Sequence, residues 1–182
     1  MRTKKRVPCL GLAFFEDFEM NRLAKYAKKG WLLKRFSFTD YILTKSEPMD
    51  LVYSLDYQKD TCEDYFRLFE DAGWNYVCSA GCEIHIFSAV PGTNPIYTDR
   101  ATHQDKYLRE QKEMKKYALP SFFLFLLLLG ATTVCTAYSA PAFIWIPALI
   151  LTFIVTVVMV FSGLPYLAYL KKTKKLSKTN DF

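Results

Sequence analysis

Cys78, Cys82 and His85 stand within eight residues of one another, a grouping of two thiols and an imidazole that raises the question of a metal. A structural zinc site closes with four ligands in a tetrahedron, and this grouping offers three. On a strand running from 82 to 88 successive side chains alternate faces, so Cys82 and His85 point apart. The pattern reads as the paired strands of a hairpin. His103, the other of the chain's two histidines, lies 18 residues further on with no sequence-local partner for general-base work, so each histidine reads as superficial or internally satisfied. Asp56, Asp60, Glu63 and Asp64 crowd the end of one element and the start of the next, where solvated carboxylates suit a helix dipole. No P-loop, GxSxG, HExxH or zinc-spaced cysteine pair occurs. The residues therefore predict no catalytic, metal-binding or cofactor-binding site, and a protein that is not an enzyme.

The elements that must carry these residues show a pattern of their own. "AKYAKKGW" at 24–31 and "RLFEDAGW" at 67–74 each run a helical segment into Gly-Trp. Shifting the chain by 43 residues superposes Gly30 on Gly73 and Trp31 on Trp74, with Leu12 on Leu55, Asp17 on Asp60, and apolar character matching at Phe14 and Tyr57 and at Leu43 and Ile86. One unit is thereby expected twice, over about 7–45 and 50–88. Period-two alternation at Leu51, Tyr53, Leu55 and Tyr57 reads as a strand, and Leu10, Leu12 and Phe14 repeat its phase. A helix follows at about 18–29 and again at 62–72, with Asp17 and Asp60 as N-caps.

Gly30 and Gly73 fall just past these helices, where left-handed backbone lets following amides reach orphan carbonyls. Trp31 and Trp74 then pack back on Tyr26 and Phe69, five residues earlier. These six residues are the structural positions the sequence singles out. "WLLKRFSF" with "DYILTK", and "WNYVCSA" with "CEIHIFSA", supply two further strands per copy. The fold class is α+β: a duplicated β-α-β-β unit with a largely antiparallel sheet and two helices on one face, followed by a two-helix transmembrane hairpin.

That hairpin comes from the 54 residues between Lys116 and Lys171, which contain no Asp, Glu, Lys, Arg or His. A hydrocarbon core about 30 Å thick takes about 20 apolar helical residues, so the stretch holds two spans, near 118–138 and 143–165. Pro141 breaks them, and Tyr138 and Trp145 suit the lipid-water boundary. Lys106, Arg109, Lys112, Lys115 and Lys116 precede the first span, and Lys171, Lys172, Lys174, Lys175 and Lys178 follow the second. Lys and Arg stay on the cytoplasmic side, so both termini are expected in the cytoplasm of a multi-pass cell-membrane protein. The domain plan is a cytoplasmic α+β domain over 1–98, a charged connecting helix over 99–117, the hairpin over 118–165 and a basic tail over 166–182.

Charge and thiols narrow the partners. The formal net charge is +6, yet residues 1–117 hold 19 Lys or Arg against 17 Asp or Glu, so most of the excess is the tail, where it can attract anionic lipid. Nucleic acid is not an expected partner. Five cysteines, an odd number, argue for reduced thiols rather than a closed disulfide framework. Gly130 and Ala131 would let hairpin helices approach closely, as for packing or a homodimer through the hairpin.

The run "AKKGWLLKRF…YILTK…LVYSLDY…YFRLFEDAGWNYV…IFS", with "IYTDRATHQDKY" and a membrane hairpin after it, resembles the domain of unknown function family DUF2812 across most of residues 8–110. The resemblance implies cytoplasmic-membrane proteins of Gram-positive bacteria, often encoded beside PadR-like regulators, and brings no active site or cofactor with it. The expectation is a non-enzymatic, membrane-anchored regulatory or sensory protein in signalling. Besides the lipid bilayer, its partner is a cytoplasmic or membrane protein or a small ligand. The competing expectation is an accessory or immunity-type protein acting through its hairpin.

Overall fold

The computed structural model describes residues 3–37, 39–59, 61–97, 100–138 and 141–178; the side chains of 100–103, 176 and 178 lie outside what is described. Asp60 and the side chain of His103 are thus among the sequence positions not described. The chain divides into two compact units, Met1–Lys106 and Tyr107–Phe182.

In the first unit the elements run β1 (Lys4–Pro8), α1 (Leu12–Ala27), β2 (Trp31–Ser37), β3 (Asp40–Lys45), β4 (Val52–Tyr57), α2 (Glu63–Asp71), β5 (Asn75–Ala80) and β6 (Ile84–Ala89). The strands form two antiparallel three-stranded sheets, β1-β3-β2 and β4-β6-β5, each with the middle strand last in sequence. A β-bulge interrupts both: between Leu33 and Arg35 on β2, and between Tyr76 and Cys78 on β5. β2 and β5 lie against each other, α1 packs on β2 and β4, and α2 packs on β5.

The first strand and helix depart from the sequence reading. Leu10, Leu12 and Phe14 are not a strand: Leu12 and Phe14 belong to α1, and the strand is the basic segment Lys4–Pro8. A short apolar run fits both periods, and here the helical stripe Leu12, Glu16, Glu19, Met20, Leu23 and Ala27 is the one buried, while Leu10 and Phe14 are exposed. Asp17 consequently sits inside α1 rather than capping it, because the helix starts at Leu12, with Gly11 as its N-cap, and kinks at Phe15 (φ −120°, ψ 30°). The N-cap of α2 is Cys62, also without a side-chain hydrogen bond.

The helix ends are as tight as their sequence suggests. Gly30 has φ 74° and Gly73 φ 85°. After α2, Trp74 N–H reaches Phe69 C=O at 2.8 Å and Trp74 Nε1 donates to Asn94 C=O at 2.9 Å, which seats the indole with Phe69, Phe87 and Ala89 in one cluster. After α1 the contact is different: Lys5 Nζ lies 4.6 Å from the Tyr26 ring and 5.9 Å from that of Trp31, a cation between two aromatics.

The second unit holds most of α3 (Arg100–Ala137) and all of α4 (Ala142–Lys178). The charged connector and first apolar segment are one continuous helix, and the basic tail continues α4. Both helices are long and apolar enough to cross a membrane. Thr132, Thr133, Thr136, Thr152, Thr156 and Ser162 return their hydroxyls to carbonyls three or four residues earlier, at 2.7 to 2.9 Å, so these polar groups are satisfied within their own helices. Near the charged ends, the Tyr107 and Tyr169 rings stack at 6.2 Å, and Thr173 Oγ1 donates to Gln111 Oε1 at 3.0 Å.

A polar row and a basic cavity as the candidate functional site

Cross-strand register places Asp56, His85 and Ser79 side by side on β4, β6 and β5: Asp56 pairs with His85, and His85 with Ser79. Directly paired residues share a face, so this is one row of three polar side chains. His85 is 3% exposed and both its ring nitrogens are engaged. Nε2 lies 2.9 Å from Gln58 C=O, an acceptor only, so Nε2 carries the proton in the neutral ring. Nδ1 then accepts from Ser79 Oγ at 2.6 Å, and Ser79 in turn accepts from the Tyr76 hydroxyl at 2.8 Å. An imidazole facing a hydroxyl is how a serine nucleophile is activated. Here the Tyr76 hydroxyl also donates to that oxygen, which ties Ser79 between Tyr76 and His85. His85 is the satisfied histidine that its sequence context predicts.

Asp56 corrects another expectation. It is 4% exposed rather than solvated, and accepts hydrogen bonds from its neighbour Tyr57 N–H at 2.7 Å, the Tyr65 hydroxyl at 3.0 Å and the Tyr97 hydroxyl. Glu63 and Asp64 are exposed, as expected. The Tyr97 ring next meets Lys106, whose Nζ lies 5.3 Å from its centroid and 5.3 Å from that of Tyr57. Lys106 is 1% exposed; it donates to Leu55 C=O at 2.7 Å and forms an ion pair with buried Glu16. A fully desolvated ammonium persists only with such pairing. Two polar groups thus adjoin on the second sheet, Ser79 with His85 and Asp56 with Tyr97 and Lys106 of α3; they meet at the Asp56–His85 cross-strand pair and at Tyr65, whose hydroxyl donates to Asp56 and whose ring lies 5.5 Å from that of His85.

The remaining sequence candidates do not converge. Cys78 is paired with Ile86, one position from the Ser79–His85 pair and so on the opposite face from His85, and burial pushes its thiol up to about 11. Cys82 lies exposed in the turn before β6, not on the strand. Among the described residues no group of three His, Cys, Asp or Glu is placed to hold a metal ion.

At the β5 end of the row opens a cavity of about 470 Å³ lined by Arg6, Arg35, Ser37, Ile42, Ser79 and Gly81 among others. Sequence reading missed the cavity and Lys106 because their charged residues look like ordinary solvated surface.

Together these features define an α+β domain with a buried polar row and a basic cavity, whose chain continues into an apolar helical hairpin. The chain belongs to DUF2812, described as a protein of unknown function; the family model matches residues 16–119. No curated protein and no solved structure matches it.

Proposed function

We propose that this is a non-enzymatic, membrane-anchored regulatory or sensory protein whose α+β unit binds a partner protein or small ligand in the cytoplasm. In this reading the hairpin holds it in the cell membrane with both termini inside, consistent with the basic flanks of the apolar segments. The observation that carries the reading is Lys106. This residue of α3 is buried in the α+β unit with Glu16, Leu55 C=O, Tyr57 and Tyr97, and the same helix goes on to form an apolar, membrane-length segment. A change in the polar row has a covalent route to the hairpin. The common strand order and bulge of the two sheets support their origin by duplication of one unit; signalling in a Gram-positive bacterium is the part of the proposal that only the resemblance implies.

The test exchanges residues 118–165 for an unrelated two-span hairpin and purifies the full chain from its native membrane in mild detergent. Retention of a stoichiometric protein partner is the expected result. Loss of that partner with the α+β unit still folded would favour an accessory or immunity-type protein that docks through its hairpin.

A further inference from the structure

The cavity has a recognisable chemistry, set by the first sheet's register. Arg6 pairs with Ile42 and Ile42 with Arg35, so the two arginines flank one isoleucine in a single row and project from one face. Their strands are two spacings apart, about 10 Å, so two long guanidinium side chains can converge on one group between them. The bulge at Lys34 creates this: it advances β2 by one residue and sets Arg35, not Lys34, opposite Ile42. Ser37 and Asp40 pair two positions further on and so share the face.

The charges are unevenly spent. Arg6 Nη2 is held by Asp40 Oδ2 at 2.7 Å, with Arg6 72% and Asp40 24% exposed, a solvent-accessible pair that a competing anion can open. Among the described residues no carboxylate lies within ion-pair distance of Arg35. The Arg35 guanidinium, without a carboxylate partner among the described residues, a second one held by a displaceable carboxylate, and Ser37 line a volume larger than a bare ion needs. Planar forks of donors match the oxygens of a phosphoryl group bidentately, and the volume falls in the range of small-molecule sites.

We propose that this cavity binds the phosphoryl group of a phosphorylated small molecule or of a lipid headgroup, with Arg35 and Arg6 as its charge partners and Asp40 as the internal anion it displaces. The proposal rests on the reading of the α+β unit as the ligand-binding part of the chain.

The full chain in phosphatidylcholine nanodiscs is titrated with inorganic pyrophosphate by calorimetry. Saturable binding is expected, weakened about tenfold or more by Arg35→Gln, strengthened about threefold by Asp40→Asn and unchanged by Arg67→Gln, a change of equal charge on α2. The gain in Asp40→Asn cannot come from unfolding. Absence of saturable binding, equal affinity for citrate, or an unaltered Arg35→Gln variant would overturn the phosphoryl site. Repeating the titration with phosphatidic acid in the discs separates the two sources: competition with pyrophosphate identifies the headgroup, and none identifies a soluble ligand. Failure of the titration leaves partner retention in the hairpin exchange untouched, so the two readings fall separately.

Discussion

Counted from its bulge, each sheet has an equivalent second row: Val7, Tyr41 and Phe36 in the first, Asp56, His85 and Ser79 in the second. The first row is an interior. Its members are at most 5% exposed, and Phe36 and Tyr41 stack at 4.8 Å. The second row, in the same place on the same strand order, is a carboxylate, an imidazole and a hydroxyl wired to Gln58, Tyr65, Tyr76 and Tyr97. Burying polar groups gains little over packing apolar ones and costs heavily when any partner is missing. At this row, therefore, the first sheet packs apolar side chains and the second has accepted polar groups in their place.

The largest effect should come from the joint at the end of the polar row. Lys106→Met leaves Glu16 buried without its cation and should cost about 3–5 kcal/mol, read as lost denaturant resistance of the full chain; a loss under 1 kcal/mol would remove the ion pair from the account. The two rows can then be set against each other directly. Phe36→Ala opens a cavity and should cost about 3–5 kcal/mol, whereas Ser79→Ala removes hydrogen bonds and should cost about 1 kcal/mol. Equal losses would abolish the distinction between interior and site.

The helix ends sharpen the comparison further. A Cβ on Gly30 would lie 2.6 Å from Ser46 C=O, a backbone atom, whereas on Gly73 the nearest atom is Thr93 Cγ2 at 3.3 Å. Both alanines pay for positive φ, about 1 kcal/mol, so Gly30→Ala should lower the melting temperature more than Gly73→Ala. The reverse order would contradict the described packing. The smallest effect is chemical: Cys78, buried with its thiol pushed up to about 11, should resist alkylation at pH 8 while exposed Cys62 and Cys82 react.

Much of this architecture is legible in the sequence, and its gaps have physical causes. Five of the six strands and α2 follow their periodicity and their Gly-Trp punctuation. A shift of 43 residues holds from β2 to β5 but not throughout: Tyr41 stands where His85 does, 44 residues on, so Leu43 matches Phe87 rather than Ile86, and Val7 stands where Asp56 does, 49 residues on, because α1 is longer than α2. That mismatch hid the basic first strand, which has no apolar alternation to announce it. Asp56 read as solvent-facing because period-two logic assumes one wet face, and the row it belongs to is covered by Tyr65 and Tyr97. Lys106 read as part of a charged helix, and only tertiary structure distinguishes a lysine that plugs into a neighbouring sheet.

The central claim is that the second sheet's polar row, and not its apolar counterpart, is coupled to α3. Hydrogen exchange over residues 104–113 of the full chain in nanodiscs tests it by placing the same residue at both equivalent positions. His85→Phe should speed exchange there, by disturbing Asp56, Tyr97 and the Lys106 joint, while Tyr41→Phe should leave it as in the native chain. Equal exchange in the two variants would contradict the account.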